Sequence, residues 1–131
     1  MKLGNIGLWL VGAFALWAGW IVFDMSRPMP SDGGGSGSMA ELKRSTQPVL
    51  VEFYADWCGP CKAVGPVVDA LAGELRGKAK VVRINVDDQP EAARENGVRG
   101  IPTFIAFKQG RETGREVGAI PKSRMLQLLG L

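Results

Sequence analysis

The sequence predicts an α/β domain, a central mixed sheet of about four strands flanked by helices, behind an N-terminal transmembrane helix. Three observations predict it. Leu3 to Phe23 is an uncharged apolar run. Strand-like and helix-like apolar patterns alternate from Val49 to the C-terminus. Both cysteines, Cys58 and Cys61, stand where one such strand hands over to the helix after it.

The apolar run comes first. As a helix it spans roughly 31 Å at about 1.5 Å per residue, close to the thickness of a bilayer core. Trp9, Trp17 and Trp20 lie toward its ends, where an indole bridges headgroup and hydrocarbon. A cleaved signal peptide is the alternative, and Ala13-Phe14-Ala15 has the small-x-small form of a cleavage site. The run continues well beyond it, past the roughly 7–15 apolar residues usual in such leaders. Residues 1–24 are therefore read as a retained, single-pass anchor. Lys2 precedes the run, whereas Arg27 behind it is offset by Asp24. That balance leans toward an inside N-terminus and a domain on the translocated, periplasmic side of a bacterial inner membrane. Residues 25–39 form a linker, stiffened by Pro28 and Pro30 and loosened by Gly33-Gly34-Gly35-Ser36-Gly37-Ser38. Such a coil reaches roughly 20–25 Å, which holds the domain near the membrane.

Residues 40–131 form the folded domain. A short helix, Ala40–Ser45, precedes a buried strand, Val49–Ala55, apolar on both faces apart from Glu52. Val64, Val67, Val68, Leu71 and Leu75 then recur at the spacing of one helix face. Pro66 falls inside that pattern and predicts a kink. Val81–Val86 is a second strand, with Val82, Ile84 and Val86 on one side. Gln89–Asn96 is a short helix, with Pro90 near its start and Gly97 as its stop. Thr103–Phe107 is a third strand, turned at Gln109-Gly110 into a fourth at about Glu112–Val117. Lys122–Leu129 closes the chain as an amphipathic helix. The crossover helix sets the first two strands side by side and parallel. Only Met39–Pro48 separates the Gly-Ser run from Val49, so Val81–Val86 is left as an exposed edge of the sheet unless linker residues cover it.

Composition removes several chemistries. The chain has no histidine. Ser-His-Asp and Cys-His pairs, imidazole acid–base catalysis and most catalytic zinc sites are thereby excluded. Two cysteines cannot furnish four zinc ligands, so no metal is expected. Lys2 and Arg27 balance Asp24 and Asp32, so the net charge of +3 falls on residues 39–131. There the basic residues are scattered among acids, which is a solvated surface and not a nucleic-acid face. What remains is the dithiol. Two thiols two residues apart on the first turn of a helix can close a small disulfide ring and open it again, so thiol–disulfide exchange is the leading function.

The segments Phe53-Tyr54-Ala55-Asp56-Trp57-Cys58-Gly59-Pro60-Cys61-Lys62, Asn85-Val86-Asp87, Val98-Arg99-Gly100-Ile101-Pro102-Thr103 and Phe107-Lys108, with Pro66 and Gly118, resemble the thioredoxin family in order and spacing. The resemblance runs from about Val49 to the C-terminus and implies a thioredoxin-like fold. Cys58, at the helix N-terminus, is expected to be exposed and readily ionised, and so to be the attacking nucleophile. Cys61, one turn in, is expected to be more buried and to resolve the mixed disulfide. Pro60 fits the first helical turn without losing a needed donor. Glu52 stands where the resemblance places a buried aspartate that exchanges a proton with the resolving cysteine. Burial of a carboxyl there raises its pKa. A structural pairing of Glu52 with Arg83, which matches a family lysine, is the alternative. The resemblance further implies a cis Ile101-Pro102 bond beside the sulfurs. It makes Trp57, Gly59, Pro60, Ile101 and Pro102 the substrate-binding rim, with the Ile101 backbone pairing an extended substrate strand.

The sum is a membrane-tethered thiol–disulfide oxidoreductase, a protein-disulfide reductase with no cofactor beyond the Cys58–Cys61 disulfide. Its partners are protein disulfides and an electron-donor reductase in the same membrane, and the chain acts as a monomer. Two alternatives stay open. One is the same chemistry in the oxidase or isomerase direction; the other is a non-catalytic binding or redox-sensing module.

Overall fold

A computed structural model describes residues 38–131. The expected anchor (1–24) and nearly all of the linker (25–39) lie outside the described residues. Among those described, no helix is long and apolar enough to cross a membrane.

The domain opens with α1, Met39–Lys43. The Ser38 hydroxyl accepts a hydrogen bond from the Glu41 N–H, which caps this single turn. Met39 and Leu42 point inward from it. Then come β1 (Val49–Tyr54), α2 (Gly59–Glu74) and β2 (Lys80–Asn85). The chain continues through α3 (Pro90–Glu95), β3 (Thr103–Lys108), β4 (Arg111–Val117) and α4 (Lys122–Leu129). The four strands form one mixed sheet in the order β2-β1-β3-β4. β1 runs parallel to β2 and antiparallel to β3, and the β3–β4 hairpin adds the last strand. Among the described residues β2 is an edge strand.

Alternation along β1 divides the core. Val49, Val51 and Phe53 pack with Ile84, Ile105 and Phe107 on the face covered by α1 and α3. Leu50 faces the other way and joins Val68, Leu71, Phe104, Met125 and Leu129 beneath α2 and α4. Glu52 shares the Leu50 side, two residues on. It is a carboxyl group in a layer of hydrocarbon.

The elements depart from the sequence pattern in detail. Val67, expected on the inner face of α2, is exposed at the border of the stripe, while Val64, Val68, Leu71 and Leu75 are buried. β2 ends at Asn85, one residue before the expected Val86, although the Val86 N–H still bonds the Tyr54 carbonyl. α2 continues through Pro66, whose missing N–H leaves the Lys62 carbonyl without its helical donor.

Candidate active site

The C-terminal ends of β1 and β2 converge on the start of α2, so all candidate groups gather at one end of the sheet. Cys58 is the N-cap of α2, with extended backbone. Its Sγ accepts a hydrogen bond from the Cys61 N–H at 3.3 Å, the role a serine or aspartate oxygen plays at other helix starts. Cys58 and Cys61 are joined as a disulfide with a Cα–Cα separation of 5.3 Å. The expectation of an exposed Cys58 is corrected here. The residue is only 5 % exposed, against 1 % for Cys61. Ala55 and Ile101 pack against the pair, and they account for the difference. The order of burial is as expected, but the contrast is small.

Around the sulfurs the chain builds a rim. Trp57 is 69 % exposed, and its indole Nε1–H donates to Asp87 Oδ2 at 2.8 Å. That bond fixes a large apolar plate beside the disulfide. Gly59 and Pro60 are exposed on the first turn of α2, and a side chain at Gly59 would meet nothing within 4 Å. The Ile101-Pro102 bond is cis. Pro102 is buried, and its carbonyl accepts from the Gly118 N–H at 2.7 Å. The Thr103 hydroxyl donates to the Gly100 carbonyl at 2.5 Å, so the loop is held from both sides of the proline.

On β1, six residues before Cys58, Glu52 is fully buried. Its Oε2 accepts from Arg83 Nε at 2.6 Å, and Oε1 has no hydrogen-bond partner among the described residues. Burial pushes its pKa above the ordinary carboxylate value, and the bond and charge of Arg83 only partly oppose that. The Arg83 guanidinium stacks 4.2 Å from the centre of the Tyr54 ring and lies 3.7 Å from Asp69. A groove of about 490 Å³ opens beside it, lined among others by Cys61, Lys62, Asp69 and Arg83. The structure thus packs Ile101 on the buried Cys58–Cys61 pair, with the exposed Trp57 next to Cys58 in the chain and Glu52 buried on β1. Both sequence readings of Glu52 meet here: it is paired with Arg83 and also desolvated. Among the described residues no group of three side chains could hold a metal ion.

Sequence reasoning passed over Asp87, Tyr54 and Asp69. The first two carried a usable signal, because Tyr54 ends β1 and Asp87 follows β2 by two residues, both on the side where α2 begins, the usual place for ligand contacts in an α/β sheet. Asp69 carried none.

The thioredoxin family model matches residues 38–130. The chain belongs to the thioredoxin family. Thioredoxin 1 of Nostoc sp. is 48% identical over 89 residues, covering 68% of this chain and 83% of that one. The thioredoxin of Porphyra purpurea is 51% identical over 85 residues, covering 65% and 79%. Among solved structures, thioredoxin NaTrxh from Nicotiana alata superposes with a TM-score of 0.63 at 36% identity, covering 70% and 79%. With the Cys58–Cys61 pair in place, this thioredoxin-family chain is a protein-disulfide reductase, and protein disulfides and a reductase are its implied partners.

Proposed function

We propose that the chain is a membrane-tethered thioredoxin that reduces protein disulfides on the translocated side of a membrane. The observation that carries the chemistry is Cys58 at the N-cap of α2, its sulfur already accepting the Cys61 N–H. In the reduced protein the same donor and the helix dipole favour a thiolate at Cys58. That thiolate attacks one sulfur of a substrate disulfide, a mixed disulfide forms, and the other substrate sulfur leaves as a thiolate. Cys61 then gives its proton to the Glu52 carboxylate and attacks Cys58 Sγ. The Cys58–Cys61 bond forms, the bond to substrate breaks, and the second substrate sulfur leaves and takes a proton from water. Two electrons pass from the dithiol to the substrate. A donor reductase restores the dithiol. Trp57, Gly59, Pro60, Ile101 and Pro102 form the face that receives an extended substrate segment.

Burial and the free Oε1 support Glu52 as the proton acceptor. The apolar run Leu3–Phe23 supports the tether, and the position of Lys2 supports the orientation. Gly59-Pro60 between the cysteines supports the reducing direction.

Two measurements test this reading. In an insulin-reduction assay, Cys58→Ser abolishes turnover, and Cys61→Ser accumulates a mixed disulfide with substrate. An adduct that forms on the Cys58 variant and not on the Cys61 variant reverses the two roles. For the tether, the full chain sediments with membranes after a high-salt wash, and protease added to intact spheroplasts removes its C-terminal domain. Recovery in the soluble fraction, or protection of the domain, overturns that part.

A further inference from the structure

Gly65 is out of place by helix chemistry. It stands inside α2, one turn beyond Cys61, and its backbone is not in the left-handed region that favours glycine. Glycine is a poor helix former, second only to proline, because it surrenders the most backbone freedom. No backbone requirement explains it, but a neighbour does. A β-carbon on Gly65 would lie 3.1 Å from Arg83 Nη2, 3.3 Å from Nη1 and 3.4 Å from Cζ. The guanidinium fills the space a side chain would take, with Tyr54 against it and Glu52 bound to its Nε.

We propose that Gly65 is a positioning residue for the exchange reaction: its missing side chain seats Arg83 against α2, and the seated guanidinium holds Glu52 in place for proton transfer from Cys61. The inference rests on the reading of Glu52 as that proton acceptor. The groups around Glu52 are few. β2 presents Arg83, α2 presents Asp69 with Cys61 and Lys62 along the adjoining groove, and Asp56 lies on the loop before α2. β3 places the apolar Phe104 opposite Glu52, and α4 turns only Met125 and Leu129 inward. Arg83 is the sole hydrogen-bond donor to the carboxyl among the described residues, so moving it moves the proton equilibrium of Glu52. The guanidinium takes room that an alanine at position 65 would narrow.

The test is the pH profile of mixed-disulfide resolution, followed by rapid mixing of the reduced full-length protein with a disulfide peptide. Gly65→Ala makes the guanidinium give by a few tenths of an ångström, which loosens its bond to Glu52, and the Glu52-dependent limb moves to higher pH by about half a unit. In an Arg83→Lys background, where no planar fork occupies the seat, Gly65→Ala leaves the limb where the lysine variant puts it. A Gly65→Ala profile that superposes on the parent overturns the inference, and so does an equal shift in both backgrounds. Glu52→Gln separates the two layers. Its loss of the limb is expected; a retained limb refutes the proton reading and takes this inference with it. A missing Gly65→Ala effect beside a clear Glu52→Gln effect removes this inference alone. Should Gly65→Ala fail to fold with Arg83 present, it folds when combined with Arg83→Ala. Failure of that pair to fold also overturns the inference.

Discussion

Two carboxylate–guanidinium pairs join strand residues of this sheet, one across β1 and β2 and one on the outer strand β4. Glu52 and Arg83 meet at 2.6 Å across the parallel β1–β2 pair. Glu112 and Arg115 meet at 2.7 Å along β4. Partner chemistry and distance are nearly the same, yet the acids respond in opposite directions. Glu52 has its pKa raised, because burial outweighs the arginine. Glu112 has its pKa lowered, because the hydrogen bond from Arg115 outweighs a slight desolvation. The dielectric around a pair, and not the reach of the pair, decides whether its acid is held as a charge or primed to take a proton. Only the first kind of site can serve a reaction that must accept a proton near neutrality.

Truncating the two arginines gives the largest difference. Arg83→Ala strips the one donor from a fully buried carboxyl and removes the plate packed on Tyr54 and Gly65. Breaking such a pair costs about 3–5 kcal/mol, and the partial exposure of Arg83 places this case near about 3 kcal/mol. The cost grows as pH rises through the raised value of Glu52 and shrinks below it, where the carboxyl is neutral and needs no counter-charge. Arg115→Ala removes an exposed pair and two exposed bonds to the Asn96 and Gly97 carbonyls, and it costs less than about 1 kcal/mol. Urea unfolding of both variants measures this. Equal losses would erase the distinction between the two sites.

How far the sequence reveals these sites follows from the same physics. The strands and helices were legible, apart from their exact ends, because apolar periodicity reports directly on burial. Cys58, Cys61 and Glu52 were legible because each breaks a local pattern: two thiols at a helix start and an acid in an apolar strand. The small difference in burial between the cysteines was not legible. Both are covered by residues such as Ile101, about forty positions away in the chain. Nor was the role of Gly65, since a glycine in a helix shows what it lacks but not which distant side chain uses the space. Val67 was misplaced because a stripe drawn from spacing alone has no sharp border, and the packing of α4 decides where it ends.

The finest form of the comparison is a pair of slopes in stability against pH. The raised pKa of Glu52 means that the native protein keeps a proton which the unfolded chain has already lost, between the ordinary carboxylate value and the raised one. The stability this contributes is complete below the ordinary value and is lost as pH rises through the raised value. The parent therefore loses ground to Glu52→Gln with rising pH. Glu112 runs the other way. Its contribution is present above the ordinary carboxylate value and is lost as pH falls through the lowered one, so the parent gains on Glu112→Gln with rising pH. Urea midpoints of the three oxidised proteins, taken from about pH 3 to about pH 8, give the two difference curves. Added salt flattens the Glu112 curve and leaves the Glu52 curve nearly unchanged, because screening reaches an exposed pair and not a buried one. Two slopes of the same sign would mean that Arg83 overrides burial, leaving Glu52 a fixed charge with no part in proton transfer.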